Sequence, residues 1–215
     1  EDQEALESFN GYTRLFPLPN LVLFPQVVQG LHIFETRYRQ MMADTLETDM
    51  LLTLVLLKPG WEKDYDQRPA IESIACLGRV GLHEKLPDGR YNLRLKGLAR
   101  LRILEEIPSN KLYRIARAEL LTEATSDDLT LLSRLRKEMA DVVLSRFPSE
   151  GMAYTQLQEL LASDTPLGNV CDLLAYALPL PLELKQQLLE EVNVQTRVEV
   201  LTDALRSKPA HRDRK

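Results

Sequence analysis

The sequence predicts an α+β chain in which a partly closed β-barrel of about six strands with one inserted helix, over residues 13–121, precedes a helical bundle over 122–206. Three observations carry this. Up to about Leu121 the signals are short apolar or alternating runs separated by turn residues. Within that half, one segment after Phe34 has helical spacing. From about Ser126 to Leu205 the apolar residues recur at helical intervals throughout.

In chain order, residues 21–28 and 50–57 are almost wholly apolar, as expected of strands buried on both faces. Between them Phe34, Tyr38, Met41 or Met42, and Thr45 or Leu46 mark one helix face. Phe34 is expected to open this helix, which plugs the barrel with Tyr38, Met41 and Leu46, while Pro17, Pro19 and Pro25 suit an edge or turn setting. Residues 86–90, LPDGR, place Asp88-Gly89 where a two-residue type I′ turn needs positive φ. On the outgoing strand Tyr91, Leu93 and Leu95 share one face, with Arg90, Asn92, Arg94 and Lys96 on the other. Gly97 marks a bulge or bend, after which Leu101 and Ile103 alternate with Arg100 and Arg102, and a strand over 112–121 completes the set.

The second half reads as four or five helices. A long one runs through Leu129, Leu132, Leu135 and Met139, with Asp127 or Asp128 as N-cap and Pro148 beyond its end. Pro166, Pro179 and Pro181 punctuate later helices, and residues 185–192 and 196–205 form two short amphipathic pieces. The tail at 207–215 is expected to be disordered.

At 215 residues, folding removes about 70% of the unfolded chain's surface from water, so a core alone can hold the structure. With 27 Lys+Arg against 32 Asp+Glu the net charge is −5, which does not suit a protein that coats a polyanion. Cys76 and Cys171 lie far apart outside any C-x-x-C pair and read as small core residues of a reducing, cytoplasmic compartment. The acidic N-terminus lacks signal-peptide order, and the longest apolar run is far short of a membrane span.

A search for chemistry returns no catalytic residue, cofactor or metal site. His32, His83 and His211 have no metal-ligand spacing, no serine sits in G-x-S-x-G, and Gly78 to Gly81 is an isolated glycine pair within a strand pattern. Asp64 and Asp66 lack the rest of a calcium loop, so they read as solvated. His32 reads as bonded to backbone where strand meets helix. The polar stretch KPGWEKDYDQRPAIES, residues 58–73, interrupts the barrel with the chain's single tryptophan and Tyr65. A segment of this length either binds something or tucks Trp61 against the barrel as a solvated loop. Trp61, Tyr65 and the nearby rim residue Leu86 are the candidate peptide-binding residues. Arg90, Arg94, Lys96, Arg100 and Arg102 are expected on one face of the hairpin, a basic run that could touch phosphate, although Glu84, Glu105 and Glu106 flank it.

The stretch LFPLPNLVLFPQVVQGLHIFETRYRQMM, residues 15–42, resembles the opening of the Lon substrate-binding domain, the N-terminal domain of ATP-dependent Lon proteases. CLGRVGLHEKLPDGRYNLRLKGLARLRI and, near the end, LKQQLLEEVNVQTRVEVLTDAL are similar to later segments of that family, so the likeness runs from Thr13 to Leu205. On this resemblance Pro25, Leu31, His32, Ile33, Phe34, Glu35, Arg37, Tyr38, Asp88, Gly89 and Gly97 are family-motif positions, expected to be scaffold. Glu35 is expected in the first helical turn with Arg37 paired to a carboxylate, and Gly30 departs from the family's proline. The resemblance implies a PUA-like barrel followed by a helical bundle, and a non-enzymatic, stand-alone module that binds unfolded or partner polypeptides, with a protease or chaperone beside it. Ending at Lys215, the sequence brings neither the ATPase nor the peptidase module. The alternative is an RNA-binding PUA-like module, disfavoured by the net charge and by the absence of an aromatic stacking platform.

Overall fold

The computed structural model describes residues 1–65, 67–148 and 151–207, so the tail expected at 207–215 falls, from 208 onward, outside the described residues. Six strands form one sheet: β1 (Tyr12–Leu18), β2 (Val28–Ile33), β3 (Leu51–Leu56), β4 (Ile74–Lys85), β5 (Tyr91–Ile107) and β6 (Arg114–Leu120), in the order β2-β5-β4-β3-β1-β6. A further β5–β6 pairing closes five of them into a ring, which removes their edges. β5 can serve two neighbours because it is 17 residues long: its first part pairs with β2 and its second with β6.

All five ring strands send residues into one cluster: Leu15, Leu51 and Val55, Ala75 and Leu77, Leu101, and Ala116 and Ala118. A cluster with contributors from every wall is the barrel interior, and three alanines fit its narrow bore. A buried hydroxyl pair, Thr13 to Thr53 at 2.8 Å, lies on the same strand parity. A short helix missed in the sequence, α1 (Asp2–Glu7), packs Ala5 and Leu6 against this cluster.

The inserted helix, α2 (Thr36–Leu46), buries Tyr38, Met41, Met42 and Thr45 as the spacing predicts, but it does not plug the barrel. Tyr38 packs edge-on against Phe16 with ring centroids 4.6 Å apart, and Phe16 faces opposite to the interior residue Leu15. α2 therefore covers the outside of the wall. Phe34 does not open the helix either: it is 60% exposed, two residues before Thr36, and stacks beside His32.

Three local expectations need correction. Residues 21–28 are not a strand; only Val28 belongs to one, and Leu21 to Phe24 run as coil, buried from Val22 onward. Pro25 sits in a turn closed by Val27 N–H donating to Phe24 O, and Gln26 has φ 65°, so the backbone turns where the apolar run suggested extension. The hairpin at 86–90 has a three-residue loop, because Leu86 N–H donates to Arg90 O and only Gly89 among the loop residues has positive φ (82°). Pro87 fixes the first turn position in the ordinary right-handed region, which excludes type I′.

The third concerns β5. Leu77 pairs with Ala99 and Gly78 with Gly97, so Leu98 is an extra residue and the bulge expected near Gly97 is present. One inserted residue reverses which face odd and even positions occupy. Arg100 and Arg102 therefore leave from the face opposite to Arg94 and Lys96, and Arg100 is 1% exposed.

The described residues divide into two compact units, Glu1–Thr122 with Pro179–Glu190, and Glu123–Leu178 with 191–207. The helix α6 (Leu182–Glu190) thus joins the barrel unit, where Arg100 donates to Leu188 O and Leu189 O at its C-terminus. The other unit contains α3 (Leu129–Leu144), α4 (Met152–Ala162), α5 (Leu167–Ala177) and α7 (Val194–Ser207). Asp128 caps α3 as expected, accepting from Thr130 N–H and Leu131 N–H. This unit is tied by Arg197, fully buried between Asp172 at 3.2 Å and Glu123. Cys76 and Cys171 are both buried core residues.

Candidate functional site

The stretch 58–73 leaves β3 and returns through a closed neck. Leu57 bridges Ile71, Lys58 N–H donates to Ala70 O at 2.8 Å, and Glu72 N–H donates to Leu56 O at 2.9 Å. The loop beyond the neck contains a 3-10 turn, Trp61–Lys63.

The Phe-Glu-Thr-Arg-Tyr motif fastens that loop. Glu35 is the N-cap residue of α2 rather than part of its first turn, and its carboxylate makes no cap bond. It accepts instead from the Tyr65 hydroxyl at 2.6 Å and pairs with Arg37 at 2.8 Å. The Arg37 guanidinium lies between the rings of Tyr38 and Tyr65, 4.8 and 4.9 Å from their centroids, and also donates to Tyr65 O. Burial and the Glu35 hydrogen bond push the Tyr65 phenol up. Tyr65 in turn packs edge-on against Trp61, centroids 5.4 Å apart. The chain of contacts runs from the α2 N-terminus through Arg37 and Tyr65 to the single tryptophan.

Trp61 forms one wall of a cleft of about 420 Å³ within the barrel unit. Pro19, Leu56, Leu57 and Pro59 continue the apolar lining, and α6 supplies Leu182, Glu183, Gln186, Gln187 and Glu190, with Glu72 at the neck. The α6 contribution has no signal in the sequence, because a charged, amphipathic nine-residue helix gives no local sign of what it faces. Tyr65 does not line the cleft but supports Trp61, and Leu86 is elsewhere, at the β4–β5 hairpin tip. That tip is held to α2 by Arg39, which donates to Gly89 O at 2.9 Å.

The remaining motif positions lie in the scaffold. Leu31, His32 and Ile33 are on β2, with Ile33 buried. His32 is exposed and bonds the Asn92 side chain at 2.7 Å, not backbone as expected, because Asn92 is its cross-strand partner. Asp88 accepts from Arg90 N–H and side chain at the hairpin tip, and Arg90 holds its carboxyl below the ordinary range. Gly97 admits the Phe24 carbonyl, which would lie 2.1 Å from any Cβ there.

The basic run is divided and largely neutralised. Arg90 pairs with Asp88, Lys96 with Asp2, and Arg102 with Glu119; Arg100 is buried against α6. Among the described residues, only Arg94 of the five has neither an ion pair nor burial. No group of His, Cys, Asp or Glu among the described residues could hold a metal ion, and Asp66 lies outside them. No helix among them is long and apolar enough to cross a membrane.

The model of the ATP-dependent protease La (LON) substrate-binding domain matches residues 13–207. The chain belongs to this family. Among related sequences, Lon protease 2 of Myxococcus xanthus is 28% identical over 200 residues, covering 90% of this chain and 23% of the relative. Lon protease of Anaeromyxobacter dehalogenans is also 28% identical, with the same coverage of each. This Lon substrate-binding-domain chain thus spans under a quarter of those relatives' length. Among solved structures, the Lon N-terminal domain protein from Xanthomonas campestris superposes with a TM-score of 0.64 at 25% identity, covering 89% of this chain and 97% of that one. The N-terminal domain of Mycobacterium avium complex Lon protease gives 0.69 at 16% identity, over 91% and 98%, and supports the fold alone. The similarity is to the substrate-binding domain and not to catalytic domains.

Proposed function

We propose that this chain is a non-enzymatic polypeptide-binding module, built on a PUA-like barrel, that holds unfolded or partner polypeptide in the Trp61 cleft. Its setting is cytoplasmic protein quality control, with a protease or chaperone acting on what it holds. The observation that carries the reading is the cleft itself: an apolar recess whose tryptophan is positioned by the family motif through Glu35, Arg37 and Tyr65. A recess lined by Trp, Leu and Pro with a few polar groups suits side chains of an extended segment. Affinity is weak, since ordering a flexible chain opposes binding.

The test is fluorescence anisotropy with a labelled, permanently unfolded protein and with a labelled single-stranded RNA, across increasing salt. The polypeptide is expected to bind from low to moderate salt and to be weakened several-fold or more by Trp61→Ala, while Arg94→Ala with Lys96→Ala leaves it intact. RNA binding whose log affinity falls with log salt at a slope of about −0.7 per neutralised phosphate, with no polypeptide binding, would replace this reading by nucleic-acid recognition.

A further inference from the structure

Resting on the polypeptide-binding reading, we infer that the Trp61 cleft selects a lysine or arginine of the bound segment, stem against the apolar wall and cationic head toward α6. Two independent observations point to a donor-bearing, positively charged occupant. First, three carboxylates line the cleft, Glu72, Glu183 and Glu190, and among the described residues no cationic side chain lines it. Lys58 approaches only Glu72, at 3.8 Å, and is itself half exposed. Second, Gln186 in the lining is 6% exposed, and its Oε1 is buried without a hydrogen-bond partner. The amide orientation is fixed by its other end: Nε2 donates to Ile74 O at 3.0 Å and to Glu190 Oε1 at 2.9 Å, both obligate acceptors. Oε1 is therefore an acceptor that no group of the protein meets, on a side chain that lines the cleft and must turn to offer it to a donor.

An anionic or phosphorylated segment meets repulsion from all three carboxylates. A purely apolar residue fits the wall but leaves the acceptor unmet and strips water from the carboxylates. Lysine and arginine satisfy both halves, because their methylene stems pack on apolar surface while their heads donate. Trp61 adds a ring face suited to a cation. Glu183 and Glu190 are exposed at the rim, so solvent screening keeps the preference modest.

The test uses the full chain and three labelled extended peptides identical except at one central residue: lysine, norleucine or glutamate. The lysine peptide is expected to bind about tenfold more tightly than the norleucine peptide, as one charge-assisted contact at a screened site allows. The glutamate peptide is expected to bind more weakly than either. In Glu183→Gln with Glu190→Gln, both exposed positions, the ratio of lysine to norleucine affinity should fall to about twofold or less. Equal binding of lysine and norleucine peptides, or a preference that survives the double substitution, would overturn the inference. If the norleucine peptide still binds and Trp61→Ala weakens it, polypeptide recognition stands without the cation preference; if no peptide binds, both fail together.

Discussion

Gly30 and Gly97 show why residue type alone does not report a residue's role. Gly97 is obligatory, because a Cβ would lie 2.1 Å from the Phe24 carbonyl oxygen, a backbone atom that cannot give way. Gly30 lies in β2 opposite Arg94 with φ outside the left-handed region and nothing within 4 Å of a Cβ. Its flexibility is a cost carried by the unfolded chain. Gly30→Ala is therefore expected to stabilise the protein by about 0.4–1 kcal/mol, read as a higher denaturant midpoint with unchanged slope; a fall in stability would show that the bare backbone there is required. Local signals were legible at this scale: Asp128 as an N-cap and Gly89 as a turn residue need only their neighbours. Arg100 was not legible, because its burial depends on one bulge residue, Leu98, fixed by pairing with β4.

Strands and helices with strong periods, such as the fully buried β3 and the Tyr38 face of α2, follow directly from the sequence. Segment 21–28 misled because apolar composition reports burial, which is present, and not extension, which the turn at Pro25 prevents. The β5–β6 pairing that closes the barrel also contains one of the contacts expected to weaken in acid. Arg114 on β6 grips Glu106 on β5, and also donates to Pro69 O at the loop neck. That Arg114 hydrogen bond outweighs burial and holds the Glu106 carboxyl below its ordinary 4.5. The folded state thus releases the proton more readily than the unfolded chain. The pair's stabilisation is complete above pH 4.5 and is lost as pH falls below it toward the depressed folded value. Glu106→Gln should flatten the acid limb of a stability–pH profile, costing on the order of 1 kcal/mol at neutral pH after allowance for partial exposure. An unchanged acid limb would place the sensitivity elsewhere.

At the scale of the molecule, the sequence made the barrel, the inserted helix, the later helices and the family legible, while the division into units did not follow from order along the chain. Pro179–Glu190 belongs with the barrel although helices of the other unit precede and follow it. The candidate site has the same history. Trp61 stood out as the one tryptophan in an unusually long polar loop, but Leu182, Gln186 and Glu190 lie more than a hundred residues away and reach it only through the fold. That single tryptophan also makes the most direct measurement possible, since all tryptophan emission of this chain comes from the proposed binding wall. Titrating the protein with a tryptophan-free, permanently unfolded polypeptide is predicted to shift Trp61 emission saturably to the blue as the indole loses water, and Arg37→Leu, which frees Tyr65, is predicted to weaken that response without lowering the barrel's cooperative melt by more than a few degrees. Saturable binding of the polypeptide, seen by anisotropy in the same samples, with no change in Trp61 emission would contradict the account and place recognition elsewhere on the molecule.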